Sequence, residues 1–199
     1  MVGKNLTEIK KIKEYANINK VPIMMDDGIE FLTTFIIKHN VKTILEIGSA
    51  IGYSAIMMAL TRQDIKIVTI EKDEKRYLEA IKNIKKLNLE DRITIIYNDA
   101  LEVNLKEKFD LIFIDAAKSK SIEFFEHFES NLNPNGHIIT DNINLHGNVK
   151  KDLKEIKNRN LRALVRKIRK YITYLEEHQD YKTTFYECGD GISVTERSA

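Results

Sequence analysis

Apolar positions recur along this chain with two different periods, and the change between them marks its organisation. Residues 7–19 form a largely polar stretch that predicts a first helix. Residues 26–39 predict a second, with Ile29, Leu32, Phe35 and Ile36 on one face. Between them Val21-Pro22-Ile23-Met24-Met25 reads as an extended apolar linker. From Thr43 onward short apolar runs alternate with helical segments. Strands are predicted at 43–47, 66–70, 93–97, 109–114 and 137–140, and helices at 53–60, 73–87 and 119–132. Apolar strands this short, separated by helices of this length, predict a parallel sheet covered on both faces. Asn133-Pro134-Asn135-Gly136 reads as a turn that stops a helix and starts the fifth strand. Beyond a helix ending near Glu177, two strand-like runs at 182–187 and 192–195 flank Gly189-Asp190-Gly191. Asp-Gly between such runs is a hairpin signal, so the sheet is predicted to end antiparallel.

Length fits one domain with a single core, at 199 residues burying roughly 70% of the unfolded surface. Within it the pattern separates N-terminal helices (1–40), an alternating core (43–142), a helical segment (148–177) and a C-terminal hairpin (182–196). Charge is nearly balanced, 32 Lys+Arg against 30 Asp+Glu, but it is not evenly spread. Residues 150–170 carry ten Lys/Arg and two acids, a local charge of +8 that leaves −6 for the rest. Such a segment is either a solvated helix face or a surface for a polyanion. The single Cys188 excludes an internal disulfide and a cysteine-based zinc cluster, as expected of a reducing compartment. The first residues show no apolar signal core, and no apolar run approaches the roughly 20 residues of a membrane span. A cytoplasmic location is expected.

The first candidate chemistry lies where the 43–47 strand meets the 53–60 helix, at Gly48-Ser49-Ala50-Ile51-Gly52. Glycines there permit a sharp turn and a close approach of backbone to a ligand. The spacing is G-x-x-x-G rather than the dinucleotide fingerprint, and Glu46 precedes it by two residues. A pyrophosphate disfavours a neighbouring carboxylate, whereas a cofactor bearing an α-amino group tolerates one. In an open α/β sheet the ligand sits beyond the carboxyl ends of the strands, and acids close several of them. Glu71, 23 residues after Gly48, stands near the spacing at which an acid accepts from a ribose, or serves the helix start beside Asp73. Asp99 either binds an adenine amino group or fixes a turn, and Ala100 leaves room for a flat base.

Asp115 closes the fourth strand, and Asp141-Asn142 the fifth. Two carboxylates and an amide oxygen from neighbouring strand ends make a hard oxygen set suited to magnesium or calcium rather than zinc. The alternative is that Asp141-Asn142 simply opens a polar loop. Lys118, three residues past Asp115, is either a general base whose proton is loosened by a nearby cation or a solvated lysine at a helix start.

Leu45-Glu46-Ile47-Gly48 through Gly52-Tyr53-Ser54, Glu71, Asn98-Asp99-Ala100, Asp115-Ala116-Ala117-Lys118 and Thr140-Asp141-Asn142 together resemble the cation-dependent O-methyltransferases related to caffeoyl-CoA and catechol methyltransferases. The resemblance covers nearly the whole chain. It implies an α/β class I methyltransferase fold of Rossmann-like type: a seven-stranded, mostly parallel sheet with an antiparallel C-terminal hairpin and helices on both faces. It implies S-adenosylmethionine held by Met24, Glu46, Gly48, Ser54, Glu71, Asp99, Ala100 and Asp115, and Mg²⁺ held by Asp115, Asp141 and Asn142. Lys118 matches the base, with Asp115 beside it. The basic segment resembles the bacterial branch that methylates 5-hydroxyuridine at the tRNA wobble position. Arg159, Arg162 and Arg166 would then contact the anticodon region of tRNA. Family members are commonly homodimers.

Overall fold

The computed structural model describes residues 2–198, with side chains from residue 5 onward. Two helices, α1 (Val2–Ile18) and α2 (Asp26–Lys38), precede β1 (Thr43–Ile47), α3 (Tyr53–Thr61), β2 (Lys66–Glu71), α4 (Glu74–Lys86) and β3 (Ile93–Tyr97). There follow β4 (Phe109–Ile114), α5 (Ser121–Phe128), β5 (Leu132–Asp141), α6 (Arg159–Glu177), β6 (Tyr181–Tyr186) and β7 (Ile192–Arg197). The sheet has seven strands in the order β3-β2-β1-β4-β5-β7-β6. Neighbours among β1 to β5 are parallel, whereas β7 runs antiparallel to both β5 and β6. This is the sheet that the resemblance implies.

Alternation along the strands sorts their side chains to two cores. Ile44, Leu111 and Phe113 pack with α1 to α4 on one face, while Leu45, Ile47, Ile112 and Ile114 pack with α5 and α6 on the other. The strand order reverses between β1 and β4, and at that switch point the helices leave a crevice beyond the strand ends.

Two expected boundaries shift. The 119–132 helix is shorter and more broken, a 3₁₀ turn at Lys118–Lys120, then α5, then a second 3₁₀ turn at Glu129–Asn131. The Asn133–Gly136 turn is absorbed into a ten-residue β5. Its register against β4 runs Phe109↔Leu132 and then Leu111↔His137, so the four residues form an outsized bulge in a continuous strand. Asp110 explains why the bulge stays attached. Its Oδ1 accepts from Asn133 Nδ2 at 2.7 Å, and its Oδ2 accepts from the amides of Lys42 and Thr43 at 2.9 and 3.0 Å. One carboxylate thereby ties three strands at their starting ends. No helix among the described residues is long and apolar enough to cross a membrane.

Candidate active site

The crevice at the switch point is a cavity of about 490 Å³. Gly48, Ser49 and Ala50 of the turn after β1 line it. Gly48 has φ +95°, and a Cβ there would lie 2.4 Å from the carbonyl oxygen of Asp115. The glycine is required because the end of β4 passes directly against it. Gly52, with φ +81°, turns away from the cavity, and a Cβ there would meet Ala80 of α4 at 3.3 Å. Of the two glycines, the second thus serves helix packing rather than ligand approach.

Glu71 stands at the end of β2 with its carboxylate pinned by three amides: Oε2 accepts from Ala50 at 2.8 Å, and Oε1 from Lys72 and Asp73 at 2.9 Å each. A carboxylate offers about four acceptor positions, so one on Oε2 remains for a ligand hydroxyl. Asp99 holds the far side of the same end. Its Oδ1 accepts from the Leu101 amide at 3.2 Å, and Lys72 and Lys120 approach its Oδ2 at 3.5 and 3.8 Å. That amide bond, with the two lysines, holds the Asp99 carboxyl below the usual range. Ala100, buried beside it, leaves the wall flat. Met24 closes this part from the linker, and Ser54 from the first turn of α3.

The other end of the cavity is acidic. Ile114 of β4 pairs with Thr140 of β5, so the next residues, Asp115 and Asp141, leave adjacent parallel strands side by side. Asp141 is 2% exposed, and burial and the nearby Asp115 push its carboxyl up to about 7. Asn142 follows with φ +60°, a conformation that asparagine tolerates, and its amide donates to Asp141 Oδ1 at 2.7 Å. Lys118 Nζ lies 2.7 Å from Asp115 Oδ1. Among the described residues no three His, Cys, Asp or Glu side chains converge as a metal cluster. Two carboxylates and the Asn142 amide oxygen nevertheless fit a hard cation that completes its shell with water or acceptor oxygens. A buried carboxylate crowded by a second one favours such a counterion.

Of the residues singled out in the sequence, Met24, Gly48, Ser54, Glu71, Asp99, Ala100, Asp115, Lys118, Asp141 and Asn142 line this one cavity. Glu46 does not reach it. It is fully buried behind the turn, with Oε1 accepting from Ser54 Oγ and Oε2 from Thr69 Oγ1, each at 2.5 Å. Its carboxylate is therefore not placed to touch a molecule in the cavity directly, and Ser54, which lines the cavity, is its hydrogen-bond partner. Lys118 is also not a free base as arranged, since its Nζ is engaged by Asp115. Arg159, Arg162 and Arg166 lie outside the cavity on α6. Val165, Ile168, Tyr171 and Leu175 are the buried face of that helix, which leaves the three arginines and Lys170 in a stripe on the opposite side. Tyr53, Leu145, His146 and Asp190 also line the cavity and were not singled out. Asp190 carried only a turn signal, and His146 lies in no metal-like spacing.

A doubly wound sheet with this order, an acid-pinned glycine turn at the switch point and paired carboxylates at the next strand ends define the class I methyltransferase fold. The chain belongs to the O-methyltransferase family, family 3, whose profile matches residues 3–198. A candidate caffeoyl-CoA O-methyltransferase from Staphylococcus aureus is 37% identical and superposes with a TM-score of 0.90 over 96% of this chain and 92% of that one. An O-methyltransferase from Bacillus cereus, solved in complex with SAH, is 25% identical with a TM-score of 0.82 over 96% of this chain and 91% of that one. A candidate caffeoyl-CoA O-methyltransferase of Arabidopsis thaliana is 32% identical over 155 residues, 74% of this chain and 66% of the relative.

Proposed function

We propose that this protein transfers the methyl group of S-adenosylmethionine to one hydroxyl of a small vicinal dihydroxy aromatic, of the catechol or caffeoyl type, with Mg²⁺ that Asp115, Asp141 and Asn142 would hold. The observation that carries the reading is the single cavity whose one end offers Glu71, Asp99 and Ala100 and whose other end offers Asp115, Asp141 and Asn142. The Bacillus cereus relative, solved with the demethylated cofactor, supports the choice of cofactor. In this reading Glu71 accepts from the ribose hydroxyls through its open acceptor position, Asp99 receives the adenine amino group, and Met24 and Ser54 hold the methionine portion. When bound, S-adenosylmethionine supplies an electrophilic sulfonium methyl, and Mg²⁺ supplies a Lewis acid for the acceptor oxygens. Asp115, Asp141 and Asn142 hold the acceptor end in place, and much of the acceleration comes from that alignment. Lys118, now engaged by Asp115, would serve as the base for the acceptor hydroxyl in its neutral form once Asp115 turned to the cation.

The test is methyl transfer from labelled S-adenosylmethionine to catechol and caffeate with Mg²⁺ or with a chelator. Asp141→Ala should abolish metal-dependent turnover while binding of S-adenosylhomocysteine survives. Full turnover by that variant would remove Asp141 from the chemistry.

A second reading is methylation of 5-hydroxyuridine at the tRNA wobble position, giving 5-methoxyuridine. The basic stripe of α6 favours it, because α6 also packs on the 3₁₀ turn at Lys118–Lys120, with Lys167 Nζ 3.4 Å from the Ser119 carbonyl. A stripe of arginines on a helix that packs against that turn suits phosphates and splayed bases. Transfer to tRNA carrying 5-hydroxyuridine, lost on replacing Arg159, Arg162 and Arg166 by Ala and weakened by salt, would favour it over the small-molecule reading. Turnover of catechols with no transfer to tRNA would dismiss it.

A further inference from the structure

The loop after β5 forms the rim of the cavity at its acceptor end, and it is held from two directions. Asn142, Leu145 and His146 line the cavity there, with φ +60°, +49° and +52°, a conformation that the last two side chains disfavour. Such backbone persists only when its surroundings over-determine it. On one side stands the loop joining β6 and β7. The Ile143 amide donates to the Gly191 carbonyl at 3.0 Å, the Asn144 amide to the Asp190 carbonyl at 2.8 Å, and the His146 amide to Asp190 Oδ1. On the other side stands α6, acting through one side chain.

Arg169 Nε donates to the Val149 carbonyl at 2.9 Å, and its Nη2 donates to the Lys151 carbonyl. Both carbonyls lie at the end of the 3₁₀ turn at Asn148–Lys150, where a helical turn leaves its acceptors unsatisfied. That turn is tied back to the rim. The Val149 amide donates to the Asn144 carbonyl at 3.2 Å, and the Asn148 amide and Nδ2 both donate to the Leu145 carbonyl, at 3.0 and 2.8 Å. A continuous run of hydrogen bonds thus leads from Arg169 through Val149 and Asn144 to Asp190, and Asn142 stands two residues before Asn144.

Arg169 belongs to the basic segment at 150–170 but not to the outward stripe of α6. It lies four residues after buried Val165 and next to buried Ile168, at the border of the packed face, and is only partly exposed. A guanidinium spans two acceptors with a rigid fork, which the single ammonium of a lysine does not.

We propose that Arg169 is the positioning residue for the acceptor end: its grip on the Val149 and Lys151 carbonyls holds Asn142 where its amide oxygen serves the cation, and Leu145 where it bounds the acceptor. The inference rests on the small-molecule reading above. The cofactor end is built on the turn after β1, the end of β2 and Asp99, so binding there is independent of the grip.

The test uses the full chain with Arg169→Ala, Arg169→Lys and, as a control that removes one charge from the same basic segment, Lys154→Ala. Calorimetry with S-adenosylhomocysteine present should show Mg²⁺ binding weakened by about tenfold in Arg169→Ala, less than a whole charge-assisted hydrogen bond because the β6–β7 loop still holds the other side. KM for catechol should rise in the same variant, while kcat at saturating Mg²⁺ and catechol should change by less than about twofold. Amide exchange at Asn144 and Val149 should quicken, with exchange in β4 unchanged. Arg169→Lys should fall between Arg169→Ala and the unaltered protein, and Lys154→Ala should match the unaltered protein. Binding of S-adenosylhomocysteine should be preserved in all three.

Unchanged Mg²⁺ binding, KM and exchange in Arg169→Ala overturn the inference and leave the function standing. An equal loss in Lys154→Ala assigns the effect to net charge, and full recovery in Arg169→Lys assigns it to charge without the fork; either overturns the inference. Loss of S-adenosylhomocysteine binding in both Arg169 variants marks a general loss of fold and overturns it too. No Mg²⁺-dependent transfer to catechol by the unaltered protein overturns the small-molecule reading, and the inference with it.

Discussion

Replacing Glu46 by Gln tests what a buried acid behind the cofactor turn does. Glu46 is fully buried between the hydroxyls of Ser54 and Thr69, and burial is the main reason its carboxyl is pushed up to about 7 from an ordinary 4.5. The folded state therefore holds this proton at pH values where the unfolded chain has released it. Stability from this group is fully present below about pH 4.5 and is lost as pH rises through about 7. With 2.303RT near 1.36 kcal/mol per unit, the group's contribution falls by about 2 to 3 kcal/mol between pH 5 and pH 8. Gln has the shape of the protonated acid, its Oε1 accepting from one hydroxyl and its Nε2 donating to the other, and it does not titrate. The difference in unfolding free energy between Glu46→Gln and the unaltered protein should thus rise in favour of the variant by about 2 to 3 kcal/mol over that range. Urea unfolding of both proteins at pH 5 and pH 8 measures it. A difference that stays constant, or that moves against the variant as pH rises, would refute the reasoning.

Gly48→Ala should cost at least about 3 kcal/mol in urea unfolding, because a Cβ 2.4 Å from the Asp115 carbonyl at φ +95° forces backbone to move, and it should lower turnover by displacing Asp115. Tyr171→Phe removes the buried bond of 2.8 Å between Tyr171 OH and Thr140 Oγ1 and should cost about 1 to 2 kcal/mol, with little change in cofactor binding. Asn158 caps α6 by accepting from the Leu161 amide at 3.1 Å, so Asn158→Ala should cost about 1 kcal/mol and speed amide exchange in the first turn of α6 ahead of its middle.

What could be read from the sequence depended on whether a residue's role was local. Glu71 and Asp141 end their strands, and Asp115 and Asp99 lie one and two residues beyond theirs, and a parallel sheet gathers such ends on one edge whatever its strand order. Gly48 was visible as a turn glycine, but the reason for it, the Asp115 carbonyl 2.4 Å from its missing Cβ, lies 67 residues away across the β1 to β4 pairing. Glu46 shows the opposite failure. Its place before the turn suggested the ligand, yet alternation along β1 puts it on the α3 face, opposite Thr69 in register, where both oxygens are taken.

Asp190 was hidden most completely, since Gly-Asp-Gly between two strands reads as a hairpin turn in any sheet. Its function depends on which strand the hairpin lies against. Because β7 pairs with β5 through Asp141↔Ile192, the residue two before Ile192 arrives beside the end of β5, and a turn acid becomes the clamp on His146. Had β6 taken the place of β7 in the sheet order, the same three residues would sit at the outer edge, and the acceptor end of the cavity would lose its rim.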